Sequence, residues 1–107
     1  MRRAALALAL ALAGGGASAP PAPRCGLLGQ MAVSTWLETL GALAGPDAAA
    51  ADAPITRLDR LTALHARLAC DGAALHAAMD CVLAAAGDEP PRALARRCMA
   101  ESGVAAE

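Results

Sequence analysis

The chain reads as a small all-α protein: a four-helix bundle or looser array stapled by two disulfides. Three observations lead there. The composition is 57% hydrophobic with a single aromatic residue, Trp36, and Ala and Leu supply most of it. β-branched and aromatic side chains, which fit the pleated surface of a sheet, are scarce. Apolar residues recur at helical spacing in four stretches separated by Gly, Pro and Asp. Four cysteines, an even number, stand in a short chain that opens with an export signal.

That signal occupies residues 1–19. Arg2 and Arg3 precede the unbroken Ala/Leu run from Ala4 to Ala13; Gly14, Gly15 and Gly16 break it, and Ala17-Ser18-Ala19 supplies the small residues of a cleavage site. Ten apolar residues are too few to span about 30 Å of hydrocarbon. Cleavage is therefore expected after Ala17 or Ala19, and the destination is secreted or periplasmic. No later run approaches membrane length, so no membrane span is expected in the mature chain. All nine basic residues are Arg, and all ten acids lie beyond residue 19. Loss of Arg2 and Arg3 leaves seven arginines against ten acids, a side-chain charge of −3. An acidic chain with one aromatic ring offers neither a basic footprint nor stacking platforms, which excludes nucleic acid as a partner.

The rest divides into a Pro-rich leader (20–25), a single helical domain (26–103) and a C-terminal tail (104–107). The first helix is expected from Gly26 to Ala44. Leu28, Ala32, Trp36, Leu40 and Leu43 form its inner stripe, and Gln30, Ser34 and Glu38 its polar strip. Gly45-Pro46 stops it. The Ala/Asp stretch 47–53 is expected to remain a mobile loop, with a short helical turn as the alternative. In the second helix Thr56 serves as cap, and Leu58, Leu61, Leu64 and Leu68 form the stripe. Asp71 caps the third, which buries Leu75, Met79, Val82 and Ala86 and ends at Gly87. The fourth starts at Pro90-Pro91, carries Leu94 and Cys98 inward, and ends at Ser102-Gly103. A core of small side chains buries little area per residue, so covalent staples are needed at this size.

The cysteines, Cys25, Cys70, Cys81 and Cys98, show no C-x-x-C spacing, which argues against a redox pair or zinc ribbon. In antiparallel neighbours, Cys25 enters helix one at the end where Cys70 leaves helix two. Cys81 and Cys98 both lie about 10 Å from the turn between helices three and four. The expected pairs are Cys25–Cys70 and Cys81–Cys98, the second closing along a flank because Cys81 points off its stripe.

Candidate chemistry is sparse. His65 and His76 lie equidistant from the 70–71 junction, so a hairpin of helices two and three would set them level, with Asp80 one turn from His76. Such a cluster could hold Zn²⁺, Cu²⁺ or Ni²⁺; the alternative is two boundary histidines. Met79 and Met99 read as gap-filling core. Arg92, Arg96 and Arg97 make a local positive face, either a dock for an anionic ligand or acidic partner, or a solvated surface. Trp36 reads as the one large core plug, with a partner anchor as the alternative. No nucleophile elbow and no phosphate loop occurs in the mature chain. The expectation is an exported, non-catalytic binding protein without a cofactor, contacting an unknown protein partner through a helix face or the 45–54 segment. The alternative is a metal or small-ligand carrier centred on His65 and His76.

Overall fold

A computed structural model describes residues 23–105; the expected signal (1–19) and the first residues of the leader lie outside the described part. Four helices follow in order: α1 (Pro23–Ala44), α2 (Asp52–Arg67), α3 (Gly72–Ala85) and α4 (Pro91–Ser102), with a short 3-10 helix at Ala48–Ala51. The described residues contain no strand. α1 packs chiefly on α2 and on the 3-10 turn, and α3 chiefly on α4. α1 also touches both α3 and α4, joining the two hairpins, whereas α2 and α3 scarcely meet.

The leader is shorter than its prolines suggest. Pro23 to Cys25 already form the first turn of α1, where a ring with no N–H costs no hydrogen bond. The 47–53 stretch is helical rather than a loop. Asp47 accepts a hydrogen bond from the Ala49 backbone N–H (3.2 Å), and the alanines that follow are strong helix formers. Ala51 and Pro54 are buried. Thr56, with the helix beginning four residues earlier, is no cap: its hydroxyl donates to the Asp52 carbonyl one turn back. Asp71 caps α3 through the Ala74 N–H at 3.0 Å. Pro91 opens α4, and Gly103 closes it at φ 77°, a left-handed conformation that glycine takes without strain.

α2 ends in an unusual way. Cys70 N–H donates to the His65 carbonyl and Ala69 N–H to the Ala66 carbonyl, both at 3.0 Å. This pair of hydrogen bonds is a Schellman motif, and its left-handed position is held by Ala69 at φ 57° instead of a glycine.

The core gathers Ala32 and Val33 from α1, Leu58 from α2, Leu75, Ala78 and Val82 from α3, and Leu94, Ala95 and Cys98 from α4. Val104, assigned to a tail by the sequence, is buried in it. Gly29 makes room: a Cβ at that position would lie 2.9 Å from both the Val104 Cγ2 and its carbonyl oxygen. Thr35 and Thr39 are also buried, each hydroxyl donating to the carbonyl four residues back at 2.8 Å. Met79 is half-buried and Ala86 exposed, so the inner line of α3 runs through Leu75, Ala78 and Val82.

Both disulfides form as expected, Cys25–Cys70 and Cys81–Cys98, each with Cα atoms 5.6 Å apart. Each tie closes one hairpin. Cys98 is fully buried, and Cys81 reaches it from a half-buried flank position.

Candidate functional site

The α1–α2 hairpin has a register set at both ends. Cys25 is bonded to Cys70, and Glu38, thirteen residues further on, accepts from Arg57, thirteen residues back, at 2.9 Å. Between these points Leu27 stands level with Leu68, Met31 with Leu64, and Ser34 with Leu61. Leu27, Met31 and Leu61 line one shallow groove between the helices with Gln30, Thr35 and Arg57. The apolar side chains Leu27 and Met31 of this groove, with Leu64 and Leu68 further along α2, form a crest that solvent reaches. Leu27 is 57% exposed, Met31 45%, Leu64 38% and Leu68 36%.

The crest overturns part of the expected stripe. Leu64 and Leu68 were expected inside α2, and Leu43 inside α1; all three are exposed. The inner line of α2 is Pro54, Leu58 and His65. The reason is the missing second partner. α2 has α1 on one side but scarcely meets α3, so only a narrow line is covered and the flanking leucines are left out. Leu27 and Met31 received no role in the sequence, although they sit four residues apart just outside the Leu28–Ala32 stripe, which is the pattern of an apolar flank.

His65 is 2% exposed and His76 is exposed. The hairpin that was to set them level is not built, since α2 pairs with α1. Among the described residues no group of three His, Cys, Asp or Glu side chains is placed to hold a metal ion.

Trp36 is half-buried beside the core. Its indole N–H donates to the Met79 carbonyl at 3.0 Å, tying α1 to α3. The ring packs against the core from its edge without being enclosed by it, and its polar edge is satisfied.

The arginine face of α4 divides. Arg92 and Arg96 are exposed, and Arg96 borders an open cleft of about 630 Å³ lined with Gln30, Met99, Ala100, Gly103 and Ala105. Arg97 is engaged on both sides. It grips Glu89 through Nη2 at 2.7 Å and Nε at 2.9 Å, and reaches Glu101, one turn on, through Nη1 at 3.1 Å. Its guanidinium also lies 3.9 Å from Cys81 Sγ, roofing the second disulfide. The hydrogen bonds from Arg97 hold the Glu89 carboxyl below its usual value of 4.5, and the two carboxylates raise Arg97. A cation satisfied by two carboxylates has little left for an anionic ligand. The Arg97–Glu101 spacing was legible in the sequence as an i,i+4 pair; the Glu89 contact depends on how the α3–α4 turn folds back.

No protein family matches the chain, and comparison with curated proteins and with solved structures found no match.

Proposed function

We propose that this chain is an exported, non-catalytic interaction protein that binds through the α1–α2 crest. The observation that supports it is the uncovered row of Leu27, Met31, Leu64 and Leu68 on a hairpin whose ends are fixed by a disulfide and an ion pair. Apolar side chains grouped on a rigid surface bind at little ordering cost. Two disulfides are bonds of an oxidising compartment, and together with the signal pattern of residues 1–19 they favour export.

Two measurements test this reading. N-terminal sequencing of the natively isolated protein is expected to begin at Ser18 or Pro20; a retained Met1 overturns export. A photo-crosslinking residue at position 64 is expected to capture a protein in the exported fraction, while the same probe at Leu83, exposed on α3, captures little. Equal capture at both, or none at 64, overturns the crest as the contact surface.

A further inference from the structure

Charge is shared unevenly between the crest and the rest of the surface. The nine arginines less Arg2 and Arg3 leave seven in the described residues, and the ten acids less Glu107 leave nine. Four of those arginines stand on or beside the crest. Arg24 lies three residues before Leu27 on α1. Arg60 and Arg67 lie four residues before and three after Leu64 on α2, so both are its neighbours on the helix surface. At about 100° per residue they border the leucine row on the side away from the buried Pro54, Leu58 and His65. Arg57 lines the groove itself. Of the acids only Glu38 lies on this face, and it is engaged by Arg57. Asp52 and Asp59 stand about 120° and about 140° round α2 from Leu64, and Asp71, past the end of α2, caps α3. Arg24, Arg60 and Arg67 are exposed, and none of them makes an ion pair among the described residues. A chain with more acids than bases thus borders its uncovered apolar row with cations.

Resting on the reading that the crest is a contact surface, we propose that its partner is an acidic amphipathic helix of another protein. The apolar ridge of that helix lies along the groove, on Leu27, Met31, Leu61 and Leu64. Carboxylates on its flanks meet Arg24 at one end and Arg60 and Arg67 along the outer edge of α2. Guanidinium groups bind carboxylates through paired hydrogen bonds, and an amphipathic helix laid in an apolar groove is an established mode of recognition. The helix also gives α2 the second neighbour that α3 does not provide. The seam between two helices is concave and takes a ridge of side chains. A bilayer would instead set its anionic headgroups against the Glu38 carboxylate that lines the seam. Charges at the edge of such a contact govern orientation and encounter, so binding weakens as salt rises.

The test uses the oxidised protein and three labelled helical peptides of about eighteen residues. All carry one leucine stripe; its flanks are glutamate, glutamine or lysine. Fluorescence anisotropy is expected to show the glutamate peptide binding about tenfold or more tighter than the glutamine peptide, and the lysine peptide weakest. Arg60→Glu/Arg67→Glu is expected to weaken the glutamate peptide about tenfold or more and to strengthen the lysine peptide. Leu64→Ser is expected to weaken all three, and Arg92→Ser, on α4, none. Helical circular dichroism confirms that each variant is folded. No binding of the glutamate peptide, equal binding of the glutamine peptide, or indifference to the Arg60/Arg67 reversal overturns the proposal. So does co-sedimentation with phosphatidylglycerol vesicles that the same reversal abolishes while the glutamate peptide fails to bind, which would make the occupant an anionic membrane. If the probe at position 64 captures a protein through a segment that is not acidic, as mapped by mass spectrometry, the acidic helix is overturned and the broader interaction reading stands. If position 64 captures nothing, both fall.

Discussion

Gly29 lies directly beneath Val104, so close that any side chain at position 29 would sit 2.9 Å from two of its atoms. One of those atoms is the Val104 carbonyl oxygen, which cannot move aside as a side chain can. Gly29→Ala is therefore expected to push the C-terminal turn off α1. Overpacking of this kind costs about 1–3 kcal/mol, which chemical denaturation would read directly. Trimming the valine in a Gly29→Ala/Val104→Ala double variant should recover only part of the loss, because the backbone contact remains.

The two disulfides should differ in worth. Cys25–Cys70 closes a loop with a sequence separation of 45 and Cys81–Cys98 one of 17. Restricting the unfolded chain stabilises by about 4 kcal/mol for the longer loop and about 3 kcal/mol for the shorter. Removing each pair by Cys→Ala substitution and comparing unfolding midpoints would check the order. A larger loss from the shorter loop would mean that native packing around buried Cys98 outweighs the restriction of the unfolded chain.

Ala69 is the one non-glycine residue with positive φ among the described residues. Holding an L side chain there costs about 1–2 kcal/mol, and glycine returns part of the gain through greater freedom in the unfolded state. Ala69→Gly should raise stability by about 0.5–1 kcal/mol, seen as a higher thermal midpoint.

The Trp36 indole N–H bond to Met79 supplies a separate check on how α1 meets α3. Trp36→Phe keeps an aromatic ring against the core and deletes that donor. A loss of about 1 kcal/mol or somewhat more is expected from the bond and the smaller ring. The change should be read by circular dichroism, since the protein's only intrinsic fluorophore is removed with it.

Glu89 gives the molecule an acid dependence of known sign. Its carboxyl is held below 4.5 by Arg97, so the folded state binds that proton less readily than the unfolded chain. The contribution is present above about pH 4.5 and is lost as pH falls through the lower folded value. Glu89→Gln should reduce stability at pH 7 and flatten the decline between pH 5 and pH 3, measured by urea unfolding across that range. An unchanged acid limb would show that other carboxylates set it.

What could be read from the sequence was whatever local rules decide. Asp71, Pro91 and Gly103 mark helix ends by chemistry confined to a few residues, and they stand where that chemistry puts them. The disulfide pairing followed from heights along neighbouring helices. Thr56 misled because the alanines before it are strong helix formers and start the helical run earlier, behind a 3-10 turn capped by Asp47. The crest was hidden for a different reason. Whether Leu64 and Leu68 are buried depends on how many helices lie beside α2, and a short connection at 68–71 suggested α3 as a second neighbour next to α1, a contact that scarcely forms. The same error placed His65 beside His76. Val104 was missed because one apolar residue past a helix-ending glycine has no periodicity to report it.

Each hairpin is closed by its own tie, and that arrangement has a mechanical consequence. With both bonds intact, a load applied between Cys25 and Cys98 crosses each sulfur bridge and is borne by polypeptide only between Cys70 and Cys81. Fully drawn out, that stretch of eleven peptide steps reaches roughly 36–40 Å and no further. The two halves can therefore be pulled apart, but only to the end of a short leash, and they stay within reach of closing again.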